Sequence, residues 1–180
     1  MQSNESRPGR PRRYDIAPAP GFVNRDAALF VAALDELSGR LFDLIQDLPR
    51  EALAAVPEHL SNSIAWLTLH MAGAEVFWIS QIPGVAAPDD MKAIFPRPGN
   101  TPSTDFDAAE LIGICRRVRE EVTKPALAPL SDLDGQGVNH ETVSNARRLL
   151  MHLIWHWTCH TGQVGLLRRW VGMKYQWRFK

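Results

Sequence analysis

Apolar residues in this chain return at intervals of three and four, a pattern that predicts helices and no strands. The first helix is expected from Asn24 or Asp26 to about Asp47, with Leu29, Phe30, Ala33, Leu34, Leu37, Leu41, Leu44 and Ile45 on its apolar face. Pro49 ends it, and Pro57 keeps the connection open until Asn62 or Ser63 caps a second helix. The stripe of that helix reads Ile64, Leu67, Met71, Ala74, Phe77 and Trp78. Between Pro83 and Ser103, five prolines and two glycines prevent either neighbouring helix from continuing, which predicts a long crossover. Ser103 or Thr104 opens a third helix through Ala108, Leu111, Ile112, Cys115, Val118 and Val122 toward Pro125, followed by a loop from Ser131 to Asn139.

The last helix, from about Ser144 to Val171, is the longest, and Gly172 suits the left-handed position that closes a helix. At about 100° per residue, Leu149, Leu153, His156, His160, Gln163, Val164, Leu167 and Val171 share one face, opposite Arg147, Thr158 and Arg169. The expected fold is therefore all-α: a four-helix bundle with one long crossover connection.

Composition narrows the setting. Residues 1–20 combine Arg7, Arg10, Arg12 and Arg13 with prolines and no apolar core, and read as a flexible basic N-terminal arm on a single domain of residues 21–180. Acidic and basic residues balance at 20 each, so no overall field points to nucleic acid or an anionic membrane as a partner. No apolar run approaches the length of a membrane span. The two cysteines, Cys115 and Cys159, fall in different helices and offer no disulfide framework, which fits a reducing, cytoplasmic compartment.

The chemistry rests with the histidines. His156 and His160 stand four apart, so one helical turn stacks their imidazoles on the same side, within reach of one ion. That face is otherwise apolar, and each ring nitrogen entering a core needs a partner. His70, three residues after Leu67 on the second helix, brings a further imidazole to the core and makes a three-nitrogen metal set with room for water or substrate. A pair at this spacing also occurs as a structural or surface feature. His152 shares the face, either as a packed histidine or as a replacement ligand or base; His59 and His140 belong to loops as solvated residues, with His140, followed by Glu141, also able to reach a cleft at one end of the bundle. Cys159 is expected on the flank as a small packing residue. The six tryptophans, Trp66, Trp78, Trp155, Trp157, Trp170 and Trp177, are expected in the core or at an interface. Trp157 directly after the first histidine excludes a zinc-protease helix, and the lack of Glu-x-x-His pairs excludes a di-iron carboxylate bundle.

With these residues in place, the stretch from about Asn24 to Gly172 resembles the DinB-like, YfiT-type metalloenzyme bundles. Two elements in this order carry the resemblance: a mid-helix histidine within Ile64-Ala65-Trp66-Leu67-Thr68-Leu69-His70, and His156-Trp157-Thr158-Cys159-His160-Thr161-Gly162-Gln163. The resemblance implies that His70, His156 and His160 ligate zinc or nickel, and that the protein is a homodimer. It also implies thiol-dependent transfer chemistry with a low-molecular-weight thiol and a small-molecule substrate. Gln163, one turn beyond His160, and His152 are the candidates for orienting or proton-handling roles. A metal-dependent hydrolase and a non-enzymatic, metal-stabilised or sensing bundle are the alternatives. Many relatives carry His-His-Arg-Gly-Gln where this chain has Cys159-His160-Thr161-Gly162-Gln163, so Thr161 removes a basic residue.

Overall fold

The computed structural model describes residues 16–94 and 105–175. Helix α1 (Arg25–Ile45) opens at Asn24, whose side chain accepts from the N–H groups of Asp26 and Ala27. A short α2 (Arg50–Ala54) follows, then α3 (Ile64–Ile79), capped by Ser63 on the Trp66 N–H, and a short α4 (Asp89–Ile94). The chain continues through α5 (Ala108–Val118), a π-helical turn (Arg119–Thr123) and α6 (Lys124–Leu127), and ends in α7 (Ala146–Trp170). Among the described residues there is no strand, only an isolated bridge between Gly137 and Asn145.

The expected bundle is present, and its four long helical segments form a ring in which α7 packs on α1 and α3, and α3 packs on α5. Helix α3 is the central one, also touched by α2, α4 and the π turn. Its burial therefore exceeds a stripe: Ala65, Leu69, Ala72, Val76 and Ile79 are buried beside Ile64, Leu67 and Met71. Phe77, expected on the inward stripe, is instead exposed, and Ala74 and Trp78 are half-buried.

Three local features differ from the expectation. Helices α2 and α4 lie in segments read as open connections. Pro49 in extended conformation starts α2, which buries Leu53; Asp89 and Asp90 at the start of α4 and Lys92 near its end suit the helix dipole, and Met91 anchors it. The third long helix begins not at Ser103 or Thr104, which lie outside the described residues, but at Asp107. Asp107 and Glu110 form a reciprocal capping box there. Nor does that helix stop at Pro125. The Lys124 N–H reaches back five residues to the Arg119 carbonyl, and this wider turn accommodates the missing N–H and bulky ring of Pro125.

Inside the ring, Arg119 (4% exposed) ties three helices together. It donates from Nε and Nη2 to the two oxygens of Glu75 on α3 (2.7 and 3.0 Å), and from Nη1 to Asp35 (2.7 Å) on α1. A further bond from Nη2 reaches Ser38 Oγ (3.2 Å). Thr123 donates to the same Glu75 carboxylate, and the guanidinium lies 5.7 Å from the Trp157 ring of α7.

Helix α7 is fastened at both ends. Asn145 caps it by accepting from the Arg148 N–H, while Arg147 pairs with Asp26 and Asp134. At the far end, buried Arg168 donates to the Leu44 carbonyl and forks onto Asp47 at the end of α1. The helix closes at Gly172 (φ 79°), where the N–H groups of Gly172 and Met173 bond the carbonyls of Arg169 and Arg168 in a Schellman motif. Near the N-terminus, Ala19 donates to the Ala28 carbonyl; residues 1–15 of the expected arm lie outside the described residues, as does Trp177.

Candidate metal centre

His70 comes from the middle of α3, and His156 and His160 from the middle of α7, where the contact between these helices turns all three imidazoles toward one another. Ring centroids are 4.4 Å apart for His156 and His160, and 5.0 Å from His70 to each of them. One nitrogen from each ring lies within 4.8 Å of the others, a grouping that can hold a metal ion, and among the described residues no fourth histidine, cysteine or carboxylate joins it. The Nε2 atoms of His70 and His156 are 3.2 Å apart. That separation is close to the edge of a tetrahedron with metal–nitrogen bonds of about 2.0–2.1 Å.

Burial and hydrogen bonding prepare the set unequally. His156 is buried (8% exposed), and desolvation, aided by His160, His70 and His152, pushes its pKa down to about 3. Desolvation and then His160 also lower the pKa of His70. These two rings are thus held neutral, the form that ligates metal. His160 Nδ1–H donates to Gln163 Oε1 at 2.6 Å, leaving Nε2 as its lone-pair nitrogen. Trp66, one turn before His70, stacks on that ring at 5.1 Å and 13°. His156 Nδ1, by contrast, is buried with no hydrogen-bond partner. Three converging imidazole nitrogens, those of His70 and His156 facing each other at 3.2 Å, fit a divalent cation that their lone pairs can share.

The other singled-out residues take different places. His152 is half-buried, 5.8 Å from the His156 ring and 4.6 Å from Trp78, outside the three-nitrogen group. Its pKa is lowered by desolvation and then by His140. His140 packs on the same Trp78 at 4.5 Å, so this loop histidine reaches the helices. His59 is exposed at positive φ (67°). Cys159 corrects the expectation of a packing residue: it is exposed, because the flank it occupies faces away from α3 and α1. Buried Cys115 has its thiol pKa raised to about 12 by desolvation and then by Glu75, which removes it as a neutral-pH nucleophile. Thr161 is buried, its hydroxyl 4.0 Å from Met71 Sδ. Of the tryptophans, Trp157 is core, Trp66 and Trp78 are half-buried against it, and Trp155 and Trp170 are exposed.

Glu75 and Arg119 escaped the sequence reading. The available signal was that Glu75 is the sole charged residue of α3, a place where burial demands a cationic partner.

The profile of the DinB superfamily matches residues 33–164, well over half of the chain, and the chain belongs to that superfamily. No protein of curated function matches it significantly.

Proposed function

We propose that this member of the DinB superfamily is a metal-dependent enzyme of thiol transfer or related addition chemistry, with His70, His156 and His160 holding a divalent ion, zinc or nickel. The observation that carries the reading is the convergence of three imidazoles from two helices, with no fourth histidine, cysteine or carboxylate beside them among the described residues. Three protein ligands leave a coordination position for a substrate or water, as in catalytic sites. Bound there, the ion supplies Lewis acidity that favours the thiolate form of a low-molecular-weight thiol, which then serves as nucleophile toward an electrophilic carbon.

The chain's own contribution is placement. Gln163 fixes the orientation of His160 through the Nδ1 hydrogen bond, and Trp66 restricts rotation of His70. His152, beside His156, is the candidate for moving a proton to or from the substrate. Trp78, packed on His152 and His140, supplies an apolar wall that limits water. A cytoplasmic setting and a homodimeric state complete the reading, and the two free thiols fit a reducing compartment.

Metal analysis tests the site directly. Wild-type protein is expected to bind one zinc or nickel per chain, and His160→Ala to lose stoichiometric binding; absence of metal in wild type, or equal binding by the variant, sinks the triad. Metal-loaded protein incubated with small thiols and a test electrophile should then give thiol-dependent conjugation. Hydrolysis of a test ester without any conjugation would move the assignment to the hydrolase alternative.

A further inference from the structure

One face of α7, with Arg148 and Arg169 near its two ends, carries large apolar side chains that nothing among the described residues covers. Met151 (54% exposed), Trp155 (64%), Leu166 (52%) and Trp170 (56%) lie on it, and among the described residues they are four of the nine large apolar side chains left exposed. With Cys159 and Gly162, both exposed, they fall within a sector of about 100° beside the histidine face. Their order along the helix is palindromic. Met151 matches Trp170, Trp155 matches Leu166 and Cys159 matches Gly162, each pair equidistant from the His160–Thr161 peptide bond. Large side chains therefore occupy both ends of the stripe and small ones its centre. At that centre a Cβ on Gly162 would meet nothing within 4 Å, so no contact among the described residues calls for glycine there. A helix-interior glycine nonetheless costs roughly 0.5–1 kcal/mol relative to alanine.

We propose that this stripe is the contact between two copies of the chain, with the two α7 helices antiparallel and crossing near Gly162. The inference rests on the homodimer reading above and supplies the surface it lacks. A two-fold interface uses the same patch on both subunits, so the patch must complement itself. The palindrome meets that condition: antiparallel pairing sets Trp155 opposite the partner subunit's Leu166, and Cys159 opposite the partner subunit's Gly162. Small residues at the crossing let the backbones approach, while the tryptophans close the interface on either side. The area is adequate as well. With about 150–250 Å² for a tryptophan, the four large side chains offer on the order of 500 Å². Exposed Thr158, Cys159, Gly162 and Gln163 extend the patch toward the roughly 800 Å² per partner of a stable interface.

Sedimentation and cross-linking test this arrangement. Wild-type protein should sediment as a dimer at micromolar concentration, and Leu166→Glu as a monomer with unchanged helical circular dichroism, since Leu166 is not a core residue. In a Cys159→Ser background, the double variant Trp155→Cys/Leu166→Cys should form an intersubunit disulfide on mild oxidation. The two positions are about 16 Å apart within one helix and cannot pair there. Neither single variant should cross-link, because antiparallel pairing keeps like positions as far apart. A dimer that survives Leu166→Glu, or cross-linking by a single variant, overturns the proposed interface while leaving the homodimer standing. A monomeric wild type overturns both.

Discussion

Two clusters of buried polar side chains join the same helices, and they are built in opposite ways. Around Arg119, opposite charges meet: all three guanidinium nitrogens donate, and both Glu75 oxygens accept. Around His156, like meets like: three imidazoles bring nitrogens within 4.8 Å of one another, and among the described residues no carboxylate joins them. The first cluster is complete as it stands and holds α1, α3 and α5 in register. The second gathers three nitrogens that could share an electron-deficient ion, and that difference separates a self-satisfied polar network from a candidate binding site.

The largest effect should come from breaking the complete cluster. Arg119→Met leaves Glu75 buried without its cation and is expected to cost about 3–5 kcal/mol in urea denaturation. Adding Glu75→Leu should restore most of the loss, since removing both charges also removes the desolvation burden. Equal stability of Arg119→Met and wild type would erase the contrast between the clusters.

A smaller effect probes the histidine cluster. Gln163→Ala frees the His160 ring and should weaken zinc affinity about 10- to 100-fold in chelator competition, with the metal-free protein as stable as before. Unchanged affinity would mean that Gln163 does not set the ring's orientation.

The smallest is a response to mild acid. His156 titrates near 6.5 in an unfolded chain and at about 3 in the fold, so between these values the unfolded chain holds the extra proton. Stability of the metal-free protein should therefore fall as pH drops below about 6.5. Thermal denaturation from pH 7.5 to 6 should show the decline in wild type and a shallower one in His156→Leu; parallel profiles would contradict it.

The long helices and their neighbours were legible in sequence because amphipathic spacing and local caps decide them: Asn24, Ser63 and Gly172 act where their residue types predict. Local breakers proved less reliable. Prolines 49 and 88 mark the starts of short helices as much as the ends of loops, and Pro125 is absorbed by a π turn that tertiary packing sustains. The three histidines could be placed on facing stripes from periodicity, but the Trp66 stack and the orphaned His156 nitrogen depend on how α3 and α7 are rotated against each other. The Arg119–Glu75 pair was hidden for the same reason, its partners being 44 residues apart in sequence.

The double fastening of α7 bears on how the histidine pair behaves over time. Helices open most readily from their ends, and here both ends are tied to other parts of the molecule, by Arg147 to Asp26 and Asp134 and by Arg168 to Asp47. His156 and His160 sit near mid-span, where opening of the helix requires most of the bundle to open with it. Their i, i+4 spacing is thus kinetically protected, and any rearrangement of the cluster falls to the side chains of half-buried His70 and His160, with the backbone of α7 as a fixed beam.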